Sequence, residues 1–437
     1  MKHRVAFNNL PFLAIFLALA STAALASNTW YVDGVHGKNK NDCKSPQTAC
    51  KTIGHAISLA SSGDSIMVAA ATYTENLVIG ISLRIVGSDA ATTIIDGGHR
   101  GFHSVVSISK GVPVSLSMMT IQNGYAFGAG GDISNHGTLS LSMMTIQNGG
   151  AFGGGGIFND GTLVINNVTV SGNHVTAIGN GTGGGISNGG ALTINNSIIS
   201  RNGASGGDGF GLGGGIFNAR GGTVVINNST ISENGATGEG GGIYNAGELT
   251  ISKSTVSGNG SKTGGGILTD ADGFALMITN STLSGNSASG QSGTVQINSG
   301  VLTISNGTIS GNYGSGIAQG FNGAASLQNS IVATNSGKNC TGTITSNGYN
   351  LSSDNSCDFG NTGDLNNTDP KLGKLGDRGG PTQTMPLLSG SPAIDAGNSS
   401  GCTDSHGHLL KTDQRGKPRP DKKSRRCDMG AYERQKD

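Results

Sequence analysis

Residues 115–124 read SLSMMTIQNG, and residues 140–149 read SLSMMTIQNG again. The duplicate belongs to a longer series: GTLVINNVTVSGN (161–173), GALTINNSIISRN (190–202), GTVVINNSTISEN (222–234), GELTISKSTVSGN (247–259), FALMITNSTLSGN (274–286) and GVLTISNGTISGN (300–312). The closing asparagines run from Asn123 through Asn148, Asn173, Asn202, Asn234, Asn259, Asn286 and Asn312 to Asn335, spaced by 23 to 32 residues. A second series interleaves with the first: GGDISN (130–135), GGGIFN (154–159), GGGISN (183–188), GGGIFN (213–218), GGGIYN (240–245) and GGGILT (264–269). Self-similarity at this period means a solenoid.

The local pattern says which solenoid. In TLVINNVTV, Leu163 and Ile165 alternate with Val164, and Val168 and Val170 alternate with Thr169. Period-two alternation in short β-branched runs predicts strands and excludes helical and leucine-rich repeats. Each unit offers three strands, one at the glycine comb and two around the asparagine turn. The expected fold is therefore all-β, a right-handed parallel β-helix with three strands per coil. One coil buries too few aliphatic side chains to offset the entropy of ordering some 25 residues, so only stacked coils fold. The turn position occupied by Asn167, Asn196, Asn228, Asn280, Asn306 and Asn329 predicts an asparagine ladder, broken at Lys253, Met118 and Met143. The run GGDGFGLGGGIFN (206–218) contains G-x-G-x-x-G, yet its last six residues are one tooth of the comb. No long helix is signalled after it, so a dinucleotide loop is excluded and a longer inserted loop is expected.

Composition agrees. Glycine supplies 77 of 437 residues, charged residues are 12%, and the net charge of +1 argues against a nucleic-acid partner. Lys2, His3 and Arg4, the apolar PFLAIFLALA (11–20) and Ala24-Leu25-Ala26 read as a signal peptide over 1–26, so the chain should be exported. No later apolar run approaches the length of a membrane span. Six cysteines in an oxidising compartment predict disulfides between local neighbours: Cys43 with Cys50, Cys340 with Cys357, Cys402 with Cys427. No C-x-x-C pair suggests zinc.

An open β-helix needs caps at both ends. TWYVDG (29–34) reads as a strand, and CKTIGHAISLASSGD (50–64) places Ile53, Ala56, Ile57 and Ala60 on one helical face. The order YVDG, CKTIGHAISLASSGDSIMVAAATYTENLVI and RIVGSDAATTIIDGG resembles the entry region of secreted bacterial proteins with the pectin-lyase-like β-helix. The GGGI and following-Asn comb is similar to the GGAI and FxxN repeats of polymorphic outer-membrane proteins, although FxxN is compressed to F-N. NNTDPKLGKLGDRGGPTQTMPLLSGSPAIDAG (366–397) and TDQRGKPRPDKKSRRCDMGAYE (412–433) resemble the choice-of-anchor Q domain. These resemblances imply a cap and first coils over 27–104, repeats over 105–336 and an anchor-associated region over 337–437. No translocating barrel precedes YERQKD, which implies release or non-covalent attachment at the cell surface or outer membrane.

Patterns that signal catalysis are sparse. Glycosidic hydrolysis needs two carboxyl groups, and lyase chemistry needs a base with a cation near the sugar carboxylate. Charges across 105–335 are scattered, and no such set stands out. Asp132 and Asp160 follow or sit near the comb and are candidates to line one face. Asp270, Asp272 and Gly273 begin a calcium-loop pattern but lack its remaining acids, so no cofactor or metal is expected. His99, His103, His136 and His174 show no ligand spacing. RGKPRPDKKSRR (415–426) reads as a solvated basic loop. The best binding feature is aromatic: Phe158, Phe217 and Tyr244 each follow a comb isoleucine, so alternation places them outward, where rings stack on sugars. These features favour a non-catalytic, exported adhesion-type protein that binds polysaccharide or another surface ligand. The alternative is a polysaccharide lyase or glycoside hydrolase, suggested by architecture alone.

Overall fold

The computed structural model describes residues 27–99, 102–207, 209–289 and 292–435; the proposed signal peptide and Asp208 lie outside them. The strand pairings between coils are parallel, with register shifts at Ala126/Ala129, around Asp270 and at Ile297/Ser299. Ile133 pairs with Ile157, then Ile186, Ile216, Ile243 and Ile267 along the face that carries the glycine comb. Leu139, Leu163, Leu192, Val224 and Leu249 stack on the second face, and Ile146, Val170, Ile199, Ile231 and Val256 on the third. All of these residues point inward and are at most 1% exposed. The fold is a parallel β-helix, with three strands per coil in the main sheet. Between the third face and the comb runs a further ladder of very short strands, from Tyr125–Ala129 through Gly150–Gly153 and His174–Ala177 to Ser287–Ala288.

A helix, α1 (Ile53–Leu59), caps the first coil; Thr52 accepts from the His55 N–H, and Glu75 accepts from the N–H groups of Ile53 and Gly54. Ile53 and Ala56 are buried beneath it, with Ile57 and Ala60 packed against the same core. The disulfides join Cys43 to Cys50, Cys340 to Cys357 and Cys402 to Cys427. Among the described residues no helix is long and apolar enough to cross a membrane.

The asparagine ladder lies elsewhere than the repeat suggested. Asn167, Asn196, Asn228, Asn280, Asn306 and Asn329 all have φ between 46° and 55°. They mark a left-handed turn between the second and third faces, a conformation that asparagine tolerates better than most residues. Met118, Met143 and Lys253 adopt it too. Among the described residues only Asn329 bonds along this row, from its Nδ2 to Asn306 Oδ1. The true ladders are internal. Asn135, Asn159, Asn188, Asn218 and Asn245 donate each to the next over 2.6–2.9 Å at the corner after the comb. Asn173, Asn202, Asn234, Asn259, Asn286, Asn312 and Asn335 do so over 2.9–3.1 Å at the corner after the third face.

The second ladder explains the comb. The first glycine of each tooth has positive φ, as in Gly154, Gly183, Gly213 and Gly240. A Cβ on the third glycine, at Gly156, Gly185, Gly215 or Gly242, would lie 2.8–3.1 Å from the amide of Asn173, Asn202, Asn234 or Asn259. One coil inverts the arrangement. Asp132 stands where Gly156 follows, and Gly149 stands where Asn173 follows; a Cβ on Gly149 would lie 2.6 Å from Asp132 Oδ2. Asp132 is therefore an internal residue, not a surface one. It is 0% exposed, accepts from the Gly124 N–H at 2.9 Å, and burial raises its carboxyl well above the ordinary range.

The C-terminal segment covers the left-handed turns of the later coils. Asn280 donates to Thr412 O and accepts from Arg419, Asn306 donates to Thr403 O, and Lys253 donates to Thr412 Oγ1. Gln414 reaches Ser254, Thr255 and Thr282. Arg419 pairs with Glu433 at 3.0 Å inside this contact. Burial pushes Asp428 up to about 6 and Glu433 up to about 7.

Gly215→Ala should destabilise the solenoid by at least about 2 kcal/mol, because the methyl group must displace a ladder amide. Asn196→Gly, at an exposed left-handed turn, should change stability by about 0.5 kcal/mol or less; urea unfolding of both variants checks this. Unfolded carboxylates titrate near 4, so the folded chain holds extra protons at Asp428 and Glu433. Stability should fall as pH rises from about 4 to about 7. Thermal unfolding across that range checks the sign, and Glu433→Gln should flatten the slope.

Candidate functional site

The row of residues that follows the inward comb isoleucines faces outward, as strand alternation requires. Ser107, Ser134, Phe158, Ser187, Phe217, Tyr244 and Leu268 stand in direct register along it. Phe217 and Tyr244 stack with ring centroids 5.3 Å apart and planes at 15°. Phe158 is separated from that pair by Ser187 and packs beside the His136 ring at 5.8 Å. All three rings are half-buried, so each is held in place and still presents part of its surface. Leu268, one rung beyond, is fully covered.

Charged groups gather at the two edges of this row. Glu239 immediately precedes the comb at Gly240, where parallel bridges join it to Leu212 and Thr263. Burial raises its carboxyl above the ordinary range, and the negative charge of Asp270 adds to the effect. Burial also pushes the Tyr244 hydroxyl up to about 12, with further contributions from Asp270 and then Glu239. Both carboxylates therefore act on the Tyr244 side chain. Asp270 accepts from Ser299 Oγ at 2.9 Å. With Arg220, Ala246, Asp272, Ser299 and Asn322 it lines a polar depression beside the row. Asp270 and Asp272 belong to the 13-residue strand Ile267–Thr279 and not to a calcium-loop turn.

Asp160 sits at the same edge, in the coil next to His136, and accepts from or shares a proton with His136 Nδ1 at 2.8 Å. The candidates Phe158, Phe217, Tyr244 and Asp160 thus share one face, whereas Asp132 is inside. Glu239, Asp270 and Arg220 were missed because each is an isolated charge in the chain. Their signal was positional: Glu239 comes just before a comb tooth, and Arg220 and Asp270 just after one.

A second aromatic surface carries no sequence signal beyond its composition. Phe102 and Phe127 stack at 4.0 Å and 7°, with Tyr125 edge-on and Phe152 at 6.0 Å from Phe127. Phe102 and Phe127 are each 52% exposed. Tyr125, Phe127 and Phe152 lie on the short ladder that leads into the comb face. For a metal, the ligating atoms of Asp404, His406 and His408 lie within 4.8 Å of one another on a partly exposed turn. Cys43 and Cys50 also lie near His55, but their sulfurs are committed to a disulfide.

No family model matches the chain, and no curated protein matches it in sequence. Solved structures do. XylC, determined with xylose, superposes with a TM-score of 0.56 at 10% identity, over 92% of this chain and 98% of its own. Pectate lyase Pel9A superposes with a TM-score of 0.50 at 16% identity, over 93% of this chain and 96% of its own. The fold is the pectin-lyase-like parallel β-helix. At these identities the likeness establishes the architecture alone. Three disulfides together with this fold fit an extracellular protein.

Proposed function

We propose that this chain is an exported carbohydrate-active β-helix, which binds a polysaccharide along the comb face and hydrolyses it at Tyr244. The observation that carries the reading is the stacked Phe217–Tyr244 pair with Glu239 and Asp270 both acting on Tyr244. Stacked rings offer a flat apolar surface to a pyranose, and two carboxyl groups, one as acid and one as base or nucleophile, are what glycosidic hydrolysis requires. Glu239, whose carboxyl is raised above the ordinary range by burial and then by the Asp270 charge, donates to the leaving oxygen. Asp270, held by Ser299, serves as the base or nucleophile. The relatives in fold support a sugar ligand: one is a pectate lyase, and the other was determined with xylose. Scattered charges in the chain favoured a non-catalytic adhesion protein; the electrostatic influence of Asp270 on Glu239, and of both on Tyr244, shifts the balance toward cleavage. A lyase reading draws on Arg220 beside Asp270 and Asp272, a cation suited to a sugar carboxylate.

Affinity electrophoresis and product analysis on xylan, polygalacturonate and neutral glucans test the proposal. At least one glycan should be retarded, and Tyr244→Ala should weaken its binding about tenfold. Glu239→Gln should retain binding while lowering product release by roughly 100-fold or more. Unsaturated products would assign the lyase reading in place of hydrolysis. Retardation without product would return the protein to a non-catalytic glycan binder, and no retardation by any glycan would refute both.

The acid role of Glu239 sets a pH dependence. Its carboxyl titrates above an ordinary glutamate, so cleavage should persist above the usual carboxylate range and fall as Glu239 loses its proton. Asp270→Asn removes one of the causes of that elevation. Any residual activity of Asp270→Asn should therefore fall at lower pH than in the wild type, measured as a pH–rate profile.

A further inference from the structure

Four rungs from Tyr244 along the same row, the side chains of Ser134, His136 and Asp160 form one hydrogen-bonded chain. Ser134 Oγ lies 3.1 Å from His136 Nε2, and His136 Nδ1 lies 2.8 Å from Asp160 Oδ1. An ionised Asp160 can only accept, so it holds the ring proton on Nδ1 and leaves the Nε2 lone pair facing the Ser134 hydroxyl. Solenoid geometry creates this order. Ser134 and His136 are two residues apart on one coil, and Asp160 occupies the position after Asn159 that His136 occupies after Asn135. Ser107 is directly in register with Ser134 on the preceding rung, and its hydroxyl has no hydrogen-bond partner among the described residues.

We infer that Ser134, His136 and Asp160 are a serine-hydrolase site that removes acyl groups esterified to sugar hydroxyls. Ser134 Oγ attacks the acyl carbon while His136 Nε2 takes the hydroxyl proton. The bond from that carbon to the sugar oxygen breaks, and His136 returns the proton to the leaving oxygen. The products are acyl-Ser134 and a free sugar hydroxyl. Water, activated by His136 in the same way, then releases the carboxylic acid and restores Ser134. Ser107 is placed to donate to the oxyanion that forms at each step.

The surroundings select the substrate class. Backbone N–H groups at this corner are already committed: His136 N to Ile108 O, Gly137 N to Asn135 Oδ1 and Asp160 N to Asn135 O. A single hydroxyl donor stabilises the oxyanion less than a pair of backbone N–H groups, which suits an ester, whose acyl carbon is attacked more readily than that of an amide. The side chains of His136 and Asp160 are 42% and 48% exposed and Ser134 beneath them is 8% exposed, so an acyl group on a polymer reaches the serine past the imidazole edge. Phe158 borders it on the next rung. Ser134 and Tyr244 are four rungs apart, roughly 19 Å at the usual strand spacing, the span of a few sugar residues. The choice of a glycan as the acyl carrier rests on the function proposed above; the chemistry at Ser134 does not.

The test uses the full chain with diisopropyl fluorophosphate, 4-nitrophenyl acetate and acetylated xylan. Mass spectrometry should place the phosphoryl adduct on Ser134, and acetate should be released from one or both esters. Ser134→Ala should abolish the adduct and lower acetate release at least 100-fold, and Asp160→Asn should lower release at least tenfold. Both variants should keep the wild-type unfolding midpoint, which separates loss of chemistry from loss of fold. Absence of the adduct, or equal release by wild type and Ser134→Ala, would overturn the assignment. An adduct with release from the aryl ester alone would keep the serine hydrolase and overturn the sugar-ester class. The labelling needs no bound glycan, so it can succeed where glycan retardation fails, and the reverse also holds.

Discussion

Inside four successive coils of the repeat region, the carboxamide of one asparagine occupies the space where a neighbouring residue would carry its Cβ. That single steric exclusion ties the two repeating motifs together. Asn173 with Gly156, Asn202 with Gly185, Asn234 with Gly215 and Asn259 with Gly242 are reciprocal pairs of a filled and an empty position. Each amide also donates to the next across the stack, so the polar group is satisfied only when the following coil is in register. Displacing a coil by one residue would place a side chain against an amide and leave a buried donor unpaired. The constraint therefore sets register more stringently than the aliphatic core, which accepts Leu, Ile and Val interchangeably. Asp132 opposite Gly149 is the exception that follows the same rule with the two roles exchanged.

A fixed register has a consequence for function. Residues about 25 positions apart in the chain become neighbours about 4.8 Å apart on one flat face. Isolated serines, aromatics and acids are thereby assembled into rows, and a row of this kind suits an extended polymer. The comb face carries two chemically different places along one such row. Near Tyr244 are two carboxyl groups and stacked rings, and near Ser134 is a hydrogen-bonded Ser–His–Asp chain. The opposite corner, at the left-handed turns, is used differently. There the C-terminal segment binds through Asn280, Asn306, Gln414 and the buried Arg419–Glu433 pair.

Repeat spacing and alternation made the strands, the coil, the inward aliphatics and the outward aromatic row legible. The helix that caps the first coil was readable from Ile53, Ala56, Ile57 and Ala60. The asparagine ladder was placed on the wrong residues for an identifiable reason. Two different demands, tolerance of positive φ and an amide that bonds up and down the stack, both select asparagine at regular intervals. Asn228 meets the first and Asn234 the second, and a sequence alone does not distinguish them. The same ambiguity hid Asp132, whose burial depends on the absence of a side chain at Gly149.

What the sequence by itself determined is the coil: its period, its strands and the direction in which each side chain points, because alternation and turn chemistry are local properties. Only the tertiary structure decided which polar groups meet. Glu239 and Asp270 are 31 positions apart, and Ser134 and Asp160 lie on different coils; the charges of one pair and the hydrogen bonds of the other arise only when coils stack. The physical reason is the length of the chain between rungs. Each coil carries loops of different size, so proximity follows from the register imposed by the internal amides and not from any constant spacing along the sequence.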